Sequence, residues 1–246
     1  MAVKLEDLSR SSLESLIELK FAVREMHEND ALLRLLETSI LLEGKKGRGK
    51  SLTATAICWQ LRERFDKHII TVGSKMGLQE AFGPFQEITE AEFKDCLSAI
   101  QDVVERKVAA QAVVDALKEK GADLMYAVIV FDEAGKLFEA RTPNDKLVRL
   151  FGYFMDQQRH YHCTTILCAP SRQRVDGRVR QQVDWYGRCF HNKWSHQCTV
   201  RLVNGLDVIV LDFDGADDTC HVPYYQMYDS WNLVGYRRSH LDIEKI

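Results

Sequence analysis

The sequence predicts an α/β fold: a mostly parallel sheet flanked by helices, with a C-terminal β-hairpin. Three observations predict it. Short apolar runs rich in β-branched residues (38–43, 125–131 and 164–168) alternate with longer segments of helical periodicity. A glycine-rich stretch, residues 44–51, lies between the first of these runs and a helix. Near the C-terminus, Asn204-Gly205 separates two strand-like runs, a hairpin signature.

Taken in order, residues 12–36 read as helix, because Ser11 and Glu14 have capping-box spacing and leucines recur at helical intervals. Residues 38–43, TSILLE, read as a buried strand. A helix at 50–65 and a strand at 68–72 follow, then a loop at Gly83-Pro84. Thr89 and Glu92 form a second capping box, opening a long helix to about Lys120 that Gly121 ends; its length suggests an outward arm or a break near Arg106. Residues 125–131, MYAVIVF, are too short for a helix and read as a central parallel strand. Thr142-Pro143 starts a helix to Gln158, and 164–168, TTILC, is another buried strand. Residues 178–186 look helical, and 198–202 with 207–212 make the hairpin. Residues 1–36 form an N-terminal helical segment, and 37–246 one nucleotide-binding domain.

Composition narrows the class. The chain has 246 residues, 46% hydrophobic and 28% charged, as in ordinary globular proteins. No apolar run approaches the ~18–20 residues that cross a bilayer, and residues 1–20 lack the apolar core of a secretory signal. Seven cysteines, with no CxxC pair, fit reduced thiols rather than a disulfide framework. The expected location is a cytoplasm, or a virion if the protein is viral. Net charge is −3, but residues 141–193 hold ten basic and four acidic side chains, a locally cationic segment suited to a polyanion.

Gly44-Lys45-Lys46-Gly47-Arg48-Gly49-Lys50-Ser51 fits GxxxxGK[ST] in full. Glycines let the backbone curl so that N–H groups point at phosphate oxygens, and the following helix, entered at Leu52, adds its positive dipole end. Lys50 is placed to reach the β- and γ-phosphates of ATP and Ser51 to hold Mg²⁺. Asp132 lies at the C-terminal end of the 125–131 strand, where ligands bind in open α/β sheets, and is expected to share the Mg²⁺. Glu133, next in the chain, is the group to polarise the attacking water. This combination defines a P-loop NTPase.

"GKKGRGKS", "VIVFDEAGKLF" and "QQRHYHCTTILCAPSRQRVDGRVRQQ" together resemble the HerA/FtsK superfamily of DNA-pumping ATPases. Within it, the chain is similar to Zot-like ATPases of filamentous phages and to packaging ATPases of membrane-containing viruses. The resemblance covers about residues 38–235. Its Arg-His, sensor and Ile-Asp positions fall on Arg159-His160, Ser171 and Val175-Asp176, and "YYQMYDSWNLV" is similar to the stretch that closes the Zot-like core. Ser171 stands where the family usually has Gln. The resemblance implies a homo-oligomeric ring, pentamer or hexamer, in which an arginine of one subunit reaches the γ-phosphate bound by its neighbour. Arg159 matches the family position; Arg149, earlier on the same helix, is the second candidate.

Arg172, Arg174, Arg178 and Arg180 follow the 164–168 strand, and in a ring they could face the bore and grip DNA phosphates. Cys189, His191, His196 and Cys198 form a near-symmetric set that could meet around zinc, although the spacing is not a common zinc signature and buried side chains are the default reading. The expected function is an ATP-driven double-stranded DNA translocase that packages a viral genome, with a capsid or portal protein as partner. Alternatives are a Zot-like extrusion ATPase, a nucleotide-dependent switch or scaffold, and a small-molecule kinase, for which no arginine-rich lid is found.

Overall fold

The computed structural model describes residues 18, 19, 22, 26, 27, 29–73, 84–98, 106–140, 146–192 and 197–213. Among the described residues there are eight strands: β1 (Ser39–Glu43), β2 (Ile69–Val72), β3 (Gln86–Ile88), β4 (Val128–Phe131), β5 (Thr164–Ala169), β6 (Trp185–His191), β7 (Cys198–Asn204) and β8 (Asp207–Phe213). They make one sheet in the order β3-β2-β4-β5-β1-β6-β7-β8. The strands from β3 to β6 pair in parallel. β7 and β8 add antiparallel strands beyond β6. Among the described residues the helices are α1 (Lys50–Phe65), α2 (Glu90–Ser98), α3 (Arg106–Glu119), α4 (Ala134–Leu137), α5 (Lys146–Gln157) and α6 (Gly177–Arg180), and residues 29–33 are also helical.

Two apolar layers sandwich the sheet. On one side α2, α3 and α5 close over Phe93, Phe131, Phe138, Phe151 and Phe154, all fully buried. Phe138 and Phe151 stack at 4.1 Å, and Phe131 meets Phe151 edge-on at 4.9 Å. On the other side α1 packs Ile57 and Leu61 against Ile40, Leu42, Val128 and Val130, with Leu32 and Leu35 in the same layer. β1, β2, β4 and β5 are covered on both faces, which is why they read as continuous apolar runs. β6, β7 and β8 instead alternate buried and exposed residues, as strands with one covered face do.

The Thr89–Glu92 capping box is present: Thr89 N–H donates to Glu92 Oε2 at 2.9 Å, and Glu92 N–H donates to Thr89 Oγ1 at 3.2 Å. The hairpin turns at Asn204–Asp207 with Gly205 at φ 59°. Two expectations need correction. Residues 178–186 are not one helix: α6 ends at Arg180, and Trp185 opens a parallel strand beside β1. Asp184 fixes that start, because its carboxylate accepts from Ser39 N–H at 2.8 Å and its own N–H donates to Ser39 O at 2.9 Å. The 125–131 run becomes strand only at Val128; Met125 and Tyr126 are exposed in a turn, Tyr126 at φ 61°. The 89–120 stretch, expected as an outward arm or a helix broken near Arg106, is helical in α2 and again from Arg106 in α3, with 99–105 outside the described residues. β3 was not expected at all. The Ser11–Glu14 box, Gly83, Thr142-Pro143, His196 and the 224–234 stretch lie outside the described residues.

Candidate active site

β1 delivers the chain to the C-terminal edge of the sheet, and residues 44–49 curl there before α1 begins. Gly47 and Gly49 take φ 78° and 80°, a left-handed backbone that a side chain would strain. Gly49 is also crowded: a Cβ there would sit 2.8 Å from Cys198 Sγ and 3.0 Å from His191 Cβ, whereas a Cβ at Gly47 meets nothing. The loop therefore rests on β6 and β7 at one point and faces solvent at the other. Lys45, Lys46 and Arg48 are exposed, Leu52 is buried on α1, and Lys50 Nζ donates to Lys45 O at 3.5 Å.

β4 ends beside this loop with one strand, β5, between it and β1. Ser51 Oγ nevertheless reaches Asp132, donating to Oδ1 at 3.1 Å. Asp132 is almost fully buried, and burial pushes its carboxyl pKa up; the Ser51 hydrogen bond opposes that shift and neighbouring Glu133 adds to it. A half-buried hydroxyl and a buried carboxylate hydrogen-bonded beside the glycine curl fit a divalent cation bound with a polyphosphate. Glu133 takes φ 59° at the N-cap of α4, a strained conformation for a residue with a side chain. Its carboxylate is held by Lys136, which raises the Lys136 pKa.

Ser171 caps the 3-10 turn Arg172–Arg174 just past β5, its Oγ accepting from Gln173 N–H at 3.3 Å. It stands at the edge shared by the loop, because Arg172 N–H donates to Glu43 Oε2 at 3.3 Å. Arg172 and Arg174 are exposed. Arg178 and Arg180 are partly buried, and Arg178 Nε donates to Asp176 Oδ1 at 3.1 Å. Asp176 also caps α6, so its place in the motif is structural. Arg149 is exposed on α5. Arg159 sits in the 3-10 turn before β5, at the sheet edge opposite the loop, its guanidinium 3.5 Å from Asp184.

Cys189 and Cys198 are buried beneath the loop, and Thr53 Oγ1 lies 2.9 Å from Cys198 Sγ. Among the described residues no group of three metal-ligating side chains occurs. Three contributors escaped the sequence reading. Lys136 had an i, i+3 charge spacing to Glu133 as its signal. Glu43 and the Thr53–Cys198 support had none, since both depend on strand pairing.

The sheet, the glycine curl after β1 and the Ser51–Asp132 pair define a P-loop NTPase fold. The chain belongs to the family described as zonular occludens toxin (Zot), whose family model matches residues 39–198. This agrees with the HerA/FtsK-type resemblance of its motifs. Among solved structures it is similar to the N-terminal domain of zonular occludens toxin from Neisseria meningitidis, at 14% identity over 78% of this chain and 98% of that one, TM-score 0.49. It is also similar to the genome packaging NTPase B204 from Sulfolobus turreted icosahedral virus 2 in complex with ATP-gammaS, at 12% identity over 70% and 95%, TM-score 0.46. A third is the pCW3 conjugation coupling protein TcpA with ATPgS, at 17% identity over 77% and 64%, TM-score 0.46. The curated proteins give no match. No helix among the described residues is long and apolar enough to cross a membrane.

Proposed function

We propose that this protein is an ATP hydrolase that drives double-stranded DNA, working as a pentameric or hexameric ring that packages a viral genome. The observation that carries the hydrolase reading is the hydrogen bond from Ser51 to the buried Asp132 at the mouth of the glycine curl. The loop N–H groups and Lys50 bind the triphosphate and orient its γ-phosphate. Ser51 and Asp132 would hold Mg²⁺, which neutralises phosphate charge when bound. Glu133 leaves Lys136 to accept a proton from the attacking water. Arg159, on the far sheet edge of its own subunit, serves a neighbouring site, where its charge stabilises the transferring phosphoryl group. Ser171, which caps the arginine-bearing turn just past β5, serves as the sensor of the γ-phosphate. Arg172 and Arg174 are its exposed cations for DNA.

A second reading, favoured by the Zot family membership, is an assembly ATPase that extrudes a filamentous phage genome. It uses the same site and differs in the partner at the exit: a membrane complex in place of a capsid or portal protein.

The Glu133→Gln variant tests the chemistry. It keeps ATP binding and loses hydrolysis by about 10²–10⁴-fold, the usual worth of a positioned base. Undiminished turnover removes Glu133 from this role. A wild-type protein that binds ATP without turning it over supports a switch or scaffold instead.

A further inference from the structure

The antiparallel extension β6–β7–β8 has one face packed under α1 and one left open by the described residues, where Phe190, Val208 and Val210 are 46%, 45% and 54% exposed. On that open face Arg188 of β6 lies directly opposite Arg201 of β7. Like charges directly opposite in an antiparallel pair repel, so the sheet gains nothing from arginine at both places. Arg188 has Glu43 3.9 Å away, a loose contact for a side chain 69% exposed. Arg201 has no ion pair among the described residues. Tyr186 shares the face two residues before Arg188, and the Arg172 guanidinium lies 5.8 Å over its ring. Besides Glu43, the described residues of this face include the carboxylate of Asp212, which accepts from Thr199 Oγ1 at 2.6 Å. Arg172, Arg188 and Arg201 thus form a row from the mouth of the phosphate loop onto β7.

We propose that this row binds the phosphate backbone of duplex DNA. The proposal rests on the translocase reading and extends its DNA surface to Arg188 and Arg201, beyond the turn after β5. Phosphates lying along the row would relieve the Arg188–Arg201 repulsion, and a guanidinium matches a phosphate bidentately. Contacts of this kind are independent of sequence, which suits a motor that steps along any DNA. Glu43, the last residue of β1 before the phosphate loop, touches the row at two points, accepting from Arg172 N–H at 3.3 Å and lying 3.9 Å from Arg188.

The test is fluorescence anisotropy with a labelled duplex of arbitrary sequence, titrated between about 50 and 200 mM salt. Each phosphate contact contributes about −0.9 to the slope of log K against log[salt], so R188Q/R201Q lowers its magnitude by about 2. R201Q alone lowers it by about 1, and R201K, which keeps the charge, preserves it. Thermal unfolding of R201Q is expected at an unchanged or higher Tm, because the cross-strand repulsion is removed. A wild-type slope in R188Q/R201Q overturns the proposal and leaves the translocase reading standing. A wild-type protein that does not bind duplex ends both. Altered assembly size on gel filtration with an unaltered slope identifies the face as a contact between copies and also overturns the proposal. Should R188Q/R201Q not fold, R201Q decides by the same slope criterion.

Discussion

Replacing Gly49 with alanine tests how the phosphate loop is held. Gly49 sits at φ 80°, where a Cβ costs about 1–2 kcal/mol. That Cβ also falls 2.8 Å from Cys198 Sγ and 3.0 Å from His191 Cβ, and overpacking of this kind costs typically ~1–3 kcal/mol. The sum is about 2–5 kcal/mol. For a domain of this size, each kcal/mol moves Tm by ~2–4 °C, so Gly49→Ala lowers it by roughly 4–20 °C. Gly47→Ala is the control: its φ is 78°, but nothing lies within 4 Å of its Cβ, so only the ~1–2 kcal/mol of backbone strain applies. Differential scanning calorimetry of the nucleotide-free protein reads both. A further Cys198→Ala substitution in the Gly49→Ala background is expected to narrow the gap, since it removes the nearer obstacle. Equal losses at Gly47 and Gly49 refute the argument that β7 buttresses the loop.

Two further outcomes follow from the site. Asp132 is buried with its pKa raised, so folding favours its neutral form; that contribution is full below the unfolded carboxylate pKa and fades as pH rises through the higher folded value. Asp132→Asn is therefore expected to raise the Tm of the nucleotide-free protein at neutral pH, with no gain in acid, while abolishing Mg²⁺-dependent hydrolysis; a pH-independent Tm difference contradicts this. Arg159→Ala removes a side chain 73% exposed and should fold normally, since an exposed ion pair is worth ~0–1 kcal/mol. It should nevertheless lose about 10³-fold or more in hydrolysis with nucleotide affinity nearly intact. Mixing it with Lys50→Ala should restore part of the activity in steady-state assays, and no recovery counts against a role in trans.

The parts of the fold legible in the sequence are those whose burial is two-sided or whose chemistry is local. β1, β4 and β5 announce themselves as apolar runs, the glycine curl by its spacing, and the hairpin by Asn204-Gly205. What escaped depends on partners distant in the chain. β3 is three residues, QEI, and exists only because β2 offers it an edge. The first two residues of β6, Trp185 and Tyr186, fell within the 178–186 stretch read as helix, where Val179, Val183 and Tyr186 mimic helical spacing. Only the Asp184–Ser39 bonds and the pairing with β1 turn Trp185 and Tyr186 into strand. The Ser51–Asp132 pair was legible because each residue carries a motif. The Glu133–Lys136 pairing and the Arg188–Arg201 opposition were not singled out; the first needed the turn into α4, the second the register of β6 on β7.

The most direct test of the central claim is steady-state ATP hydrolysis measured while duplex DNA of unrelated sequences is added. The account predicts magnesium-dependent turnover that rises with every duplex and disappears in Glu133→Gln. Turnover indifferent to DNA, or none at all with ATP bound, contradicts it.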